Sequence, residues 1–231
     1  MVKVITFLKR KVGMPVEEFQ GYWREKHPAV VTRLPGVRRY VQSHTLPAEY
    51  AAGEPIYDGI AEVWADSTDA LRAMTRSADH AAVQEDETRF IDRATMGVII
   101  TEDHTVVDGS VVPEAAKGVS FLNRRPGLSI DEFQHHWREV HAPMAALLPG
   151  LRRYVQSQTR RSAYQGGRVP AYDGVALAWF DSREAALRAG ATDEFARILA
   201  DAPSFLAPGP IRAILAREHV IVPGGGAAAH A

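Results

Sequence analysis

The chain states one pattern twice. Phe19-Gln20-Gly21-Tyr22-Trp23-Arg24-Glu25-Lys26-His27 returns 114 residues on as Phe133-Gln134-His135-His136-Trp137-Arg138-Glu139-Val140-His141. At the same offset Pro35-Gly36-Val37-Arg38-Arg39-Tyr40-Val41-Gln42-Ser43 returns as Pro149-Gly150-Leu151-Arg152-Arg153-Tyr154-Val155-Gln156-Ser157. The offset then slips by one residue, so that Tyr57-Asp58-Gly59 matches Tyr172-Asp173-Gly174, Trp64 matches Trp179 and Phe90 matches Phe205. Solenoid repeats run at about 20–50 residues, so a period this long is a duplicated domain. The duplication supplies an internal comparison: what both halves keep serves the fold or a shared site, and what one half changes marks specialisation.

Each half, read as residues 1–110 and 117–222, is long enough to bury a core of its own. The remaining 223–231, rich in glycine and alanine, reads as a flexible tail. With 46% hydrophobic and 24% charged residues the composition is that of a folded globular protein. A formal net charge of −1 gives no electrostatic footprint for nucleic acid or an anionic membrane. The absence of cysteine removes disulfides, thiolate metal sites and a cysteine nucleophile together. No apolar run reaches the roughly 20 residues needed to cross a bilayer, and Met1-Val2-Lys3-Val4 leads straight into an alternating pattern, so a cytoplasmic location is expected.

Val4, Thr6 and Leu8 alternate with Ile5 and Phe7 as in a strand, and Phe19, Trp23 and His27 step by four along one face of a helix. In the second half Ser129-Ile130-Asp131-Glu132 reads as a capping box. Strands follow over Val37–His44 and Tyr57–Trp64, then a helical region to about Phe90, then a strand from Met96 to Glu102. The order β-α-β-β-α-β, stated twice, predicts an α+β protein of two tandem ferredoxin-like units. Such a sheet carries helices on one face and needs cover on the other, which predicts an intramolecular pseudo-dimer of barrel type.

The Phe-x-x-x-Trp-x-x-x-His helix, the Pro-Gly turn before Arg-Arg-Tyr and the later Tyr-Asp-Gly strand, in this order and twice over, resemble the EthD-like family of the dimeric α+β barrel superfamily. The resemblance covers nearly the whole chain. It implies a small protein of catabolism or polyketide metabolism that works without an organic cofactor, with its pocket between sheet and helices. Related barrels include polyketide cyclases, dehydratases, decarboxylases, isomerases, cofactor-free monooxygenases and heme-binding members, so the scaffold alone does not name a reaction.

An imidazole both takes and gives a proton near neutrality, which puts His27 and His141 first among candidates. At a helix C-terminus either could sit as an imidazolium or simply cap carbonyl groups. Tyr40 and Tyr154 could donate to an oxyanion, and Trp23, Trp64, Trp137 and Trp179 could fill the core or wall a planar ligand. The halves differ at His44 against Gln158, Glu62 against Leu177 and His80 against Phe195. The first half is therefore expected to carry the more polar pocket. His27, Tyr40, His44 and Glu62 are its catalytic candidates; Trp23, Trp64, His80, His141 and Tyr154 are the substrate-binding candidates.

The leading expectation is a lyase or isomerase that moves protons on an aromatic or polyketide-like small molecule, without cofactor or metal. The alternatives are a binding or accessory protein without turnover, and a heme- or oxygen-using member with His80 or His27 as proximal ligand. The chain is expected to be a monomeric pseudo-dimer or a higher homo-oligomer.

Overall fold

The structure, a computed structural model, describes residues 1–224; most of the glycine-alanine tail lies outside the described residues. Two compact units divide the chain. The first comprises Met1–Ile100 and the chain from Glu218 onward, and the second Thr101–Arg217.

In the first unit β1 (Val2–Leu8) precedes α1 (Val16–Glu25) and the short α2 (Pro28–Val31). Then come β2 (Arg39–Thr45), β3 (Gly59–Ala65), α3 (Thr68–Arg76), α4 (Ala78–Glu87) and β4 (Gly97–Asp108). The second unit repeats this as β5 (Ala116–Leu122), α5 (Ile130–His135), a π-helical turn at His136–His141 and α6 (Ala142–Ala145). It continues with β6 (Leu151–Thr159), β7 (Gly174–Phe180), α7 (Arg183–Ala189), α8 (Asp193–Asp201) and β8 (Arg212–Val222). The β-α-β-β-α-β order holds in both. The helical region expected to run on to Phe90 is two helices, because Ser77 ends α3 in an extended conformation and caps α4. The capping box at Ser129 and Glu132 is present.

β3 pairs antiparallel with both β1 and β2, and β7 with both β5 and β6. β4 and β8 are long strands shared by the two units; the later part of β4 pairs with β6, and the early part of β8 with β5. The second unit's strand order is therefore β4-β6-β7-β5-β8, antiparallel throughout.

Within each unit the helices are fixed to the sheet by the Tyr-Asp-Gly motif. Asp173 accepts from the Arg124 amide at 2.7 Å, from the Arg124 guanidinium, and from the Tyr164 hydroxyl at 2.6 Å, tying the start of β7 to the end of β5. Asp58 repeats the arrangement with Arg10 and Tyr50. The glycine that follows makes room for tryptophan: a Cβ on Gly174 would lie 2.5 Å from the Trp137 ring, and one on Gly59 2.6 Å from Trp23. Each indole thus lies against strand backbone, and the helix carrying it is held at glycine distance. Gly174→Ala should force Trp137 aside and destabilise by about 1–3 kcal/mol. Gly118→Ala meets only ordinary contacts at 3.6 Å and beyond and serves as the control. Denaturant midpoints of the two variants check this; equal midpoints would show that the close approach is not needed.

Candidate functional site

His27 is buried where α1 gives way to α2, and His141 is buried where the π-turn gives way to α6. Neither terminates a helix as an exposed cap, because a further turn follows each. What holds each is a carboxyl group that sequence reasoning passed over. His27 Nδ1 lies 2.8 Å from Asp86 on α4, and His141 Nδ1 lies 2.9 Å from Asp201 on α8. A second group engages each carboxyl: the Tyr22 hydroxyl donates to Asp86 at 2.6 Å, while His136 Nε2 lies 2.9 Å from Asp201. The signal was in the repeat, since Asp86 and Asp201 match at the later offset, as do Phe90 and Phe205, on which these imidazoles pack.

Burial drives the His27 and His141 pKa values below the ordinary imidazole value, against the bond to aspartate, which acts to raise them. At His141 the neighbouring His136 lowers it further. Of the two states open to a helix-end histidine, the imidazolium is thus disfavoured: in a buried site removal from water outweighs the helix terminus. The neutral ring donates through Nδ1 to aspartate, which leaves Nε2 as a bare base. Among the described residues the His141 Nε2 has no hydrogen-bond partner.

The π-turn has a local cause. In the first unit Pro28 directly follows the histidine and has no amide hydrogen to give. In the second unit Ala142 stands there instead, and its amide donates five residues back to the Trp137 carbonyl. π-turns of this kind are frequent at functional sites.

The two units differ in the residues around these histidines. The second contains a cavity of about 950 Å³ lined by His141, Tyr154, Trp137 and Phe195 among largely apolar residues. Its walls include Ala145, Ala178, Ala202 and Ala213, where the first unit has Val31, Val63, Glu87 and Val98. In the first unit Val31, Leu34, Tyr40, Met74 and Val83 pack together as one core cluster. The sequence points to the more polar first half, and this cavity lies in the second. Polar residues drew attention to the first half, whereas small residues open the space in the second.

Tyr154 lies in the cavity wall with its oxygen accepting from Trp137 Nε1 at 3.1 Å, so its own hydrogen is left for a ligand. Burial raises its pKa, which keeps it a phenol and a donor. The matching Tyr40 is fully buried and accepts from Gln42 Nε2 at 2.8 Å. Gln42 also donates to the Trp23 carbonyl, which turns its own oxygen toward His44 Nε2 at 3.0 Å. His44 stacks on Trp23 with ring centroids 4.2 Å apart, and its Nδ1 is buried without a partner. Tyr40, Gln42 and His44 therefore form one line on the sheet, but His27 shares no hydrogen bond with them.

Glu62 is on the other side of the sheet. It pairs in register with Val41 and Ile5, whereas Tyr40 and His44 stand opposite Val63 and Gly59, and side chains alternate along a strand. There it is buried and ion-paired with Lys3 at 3.1 Å. Its pairing partner is a lysine, and it does not join His27. Trp64 lies beneath Lys3 and Arg39 as a cation-π partner, and Trp179 receives Lys117 and Arg153 in the same way. His80, in the first turn of α4, is half-buried, while its counterpart Phe195 lines the cavity. Among the described residues no group of three or more His, Asp or Glu side chains is placed to hold a metal ion, and no helix is long and apolar enough to cross a membrane.

His44 is pushed down to about 2 by burial, with His219 and Arg24 adding to the effect. It is neutral when folded and takes up a proton below about pH 6.5 when unfolded, so its contribution to stability is complete above that value and declines as pH falls. Between pH 7 and 5 the loss attributable to one such group is about 1–2 kcal/mol. His44→Gln, which installs the residue of the second unit, should flatten the acid limb of the stability profile by that amount. Urea titrations of both proteins at the two pH values measure it, and parallel losses would exclude the assignment.

A model of the EthD domain matches residues 11–94 and again 125–209. Comparison with curated proteins finds no match. Among solved structures, an anthrone oxidase-like protein superposes with a TM-score of 0.69 at 12% identity, covering 98% of this chain and 96% of that one. A candidate monooxygenase from Fusobacterium nucleatum gives 0.57 at 8% identity, over 95% and 92%. Another from Lactobacillus acidophilus gives 0.54 at 10% identity, over 95% and 98%. At these identities the likeness is one of fold.

Proposed function

The chain belongs to the EthD family, and from that premise we propose that it is a small-molecule enzyme whose second unit abstracts a proton from a polycyclic aromatic or polyketide-like ketone or phenol. The observation that carries this is the free Nε2 of His141 in the wall of a large apolar cavity, with Nδ1 bonded to Asp201. Three roles divide among the residues. His141 Nε2 takes the proton, Asp201 fixes the tautomer and accommodates the charge that develops, and the Tyr154 hydroxyl donates to the oxygen that becomes anionic. Trp137 and Phe195 supply flat walls, and the volume is at the upper end of small-molecule sites, enough for several fused rings. The superposition on an anthrone oxidase-like protein supports the substrate class, because an anthrone is a fused-ring ketone with an acidic methylene.

Removal of a proton next to a carbonyl is the first step of isomerisation and of dehydration, and it equally generates the carbanion that dioxygen oxidises. The same residues serve all three, and the product identifies which one the enzyme completes. The test is deuterium uptake at the acidic carbon of anthrone, followed without oxygen in heavy water. His141→Ala should slow the catalysed exchange about 10²–10⁴-fold, the usual worth of a positioned base, and His27→Ala should change it little. Thermal midpoints of the two variants separate a structural effect from a catalytic one. If His27→Ala costs as much as His141→Ala, or if wild-type protein does not accelerate exchange, the reading fails.

The pH dependence follows from the same group. Because burial lowers its pKa, His141 is a competent base at neutral pH and loses that competence only on acidification. Exchange catalysis should therefore be level at and above pH 7 and fall tenfold per unit below a midpoint under about 6.5. A rate that rises on acidification would point to an imidazolium acid instead.

A further inference from the structure

We propose that the natural substrate carries a carboxylate, held by Arg125 at the mouth of the second unit's cavity; the inference rests on the cavity reading above and extends it to the substrate's far end. Arg125 contributes to the cavity lining, is exposed, and among the described residues its side chain has no hydrogen bond or ion pair. The carboxylate within its electrostatic reach, Glu132, is committed to the capping box through the Ser129 amide at 2.8 Å and hydroxyl at 2.7 Å.

The duplicated half shows what an ordinary residue does here. Lys11, at the matching position, donates its ammonium to the Thr88 carbonyl at 2.8 Å. Across from it the first unit carries Asp92-Arg93, a pair of opposite charges. In the second unit the matching residues are Ala207-Pro208, so both charges are gone from a strap that lines the cavity. The arginine has lost its tether and the strap its charges. What remains is one guanidinium beside apolar walls, a site matched to a molecule with a large ring system and one acidic end. A carboxylate accepts the guanidinium fork with two bonds, and at the mouth it keeps contact with water instead of being buried among apolar groups.

The experiment measures binding of anthraquinone carboxylate and of the uncharged hydroxymethyl anthraquinone to the full chain by calorimetry, at low and at raised salt. Wild-type protein should prefer the acid by about three- to thirtyfold, the range for a partly exposed charge-assisted pair. Salt should erode the preference. Arg125→Ala should abolish it, and Arg125→Glu should invert it. Equal binding of both compounds by the wild type overturns the proposal, as does a preference that survives in Arg125→Ala. Failure of both compounds to bind overturns it together with the cavity reading. An intact preference without His141-dependent exchange would remove the base and leave the carboxylate subsite standing.

Discussion

Everything distinctive about each unit depends on a tryptophan lying against a glycine. The indole of Trp137 reaches the backbone of β7 only because residue 174 has no side chain, and Trp23 does the same at residue 59. That contact sets the depth of the histidine-bearing helix over the sheet. With the depth fixed, the histidine four residues on falls within bonding distance of the aspartate on the last helix. The aspartate before the glycine then locks the strand start to its neighbour through an arginine and a tyrosine. One short motif therefore holds the sheet and positions the catalytic candidate.

From this common frame the two units depart by small means. A proline moved by one residue changes the turn after the histidine, and valine or glutamate replaced by alanine changes the volume in front of it. Removing a buried side chain normally leaves a costly void. Four alanines lining one chamber concentrate that cost where a ligand would fill it. The first unit keeps its histidine, tyrosine and tryptophan but carries larger side chains at these positions; there His44 Nε2 meets Gln42 and Glu62 pairs with Lys3.

The architecture was largely legible in the sequence, because strand alternation, the stepping of Phe19, Trp23 and His27, and the repeat itself all point to the same topology. The candidate site was half legible. His141, Tyr154 and Trp137 could be named from their motifs, but the choice between halves rested on counting polar side chains. A cavity is made by what is missing, and alanines at positions 145, 178 and 202 look unremarkable in a helix or strand. Asp86 and Asp201 lie far along the chain from their histidines, so no local spacing advertises the pairs; the repeat alone marks them. Glu62 shows a further limit: period-two alternation assigns it to the face opposite His44 only once the register with β2 is known.

The first unit is completed by a segment that follows the second, beginning at Glu218. Arg39 on β2 meets Glu218 and the Pro223 carbonyl, and Ile221 and Val222 join its core cluster, although the rest of that unit ends at Ile100. During synthesis most of the first unit is made first, but it lacks its last strand until residues 218–222 have been added, after the whole of the second unit. Contacts that span most of the chain must close before it is whole, the kind of long-range closure that slows folding. The order in which the ribosome delivers the two copies is thus not the order in which they mature. The second unit has all of its segments in hand first, and the first waits with an open sheet edge.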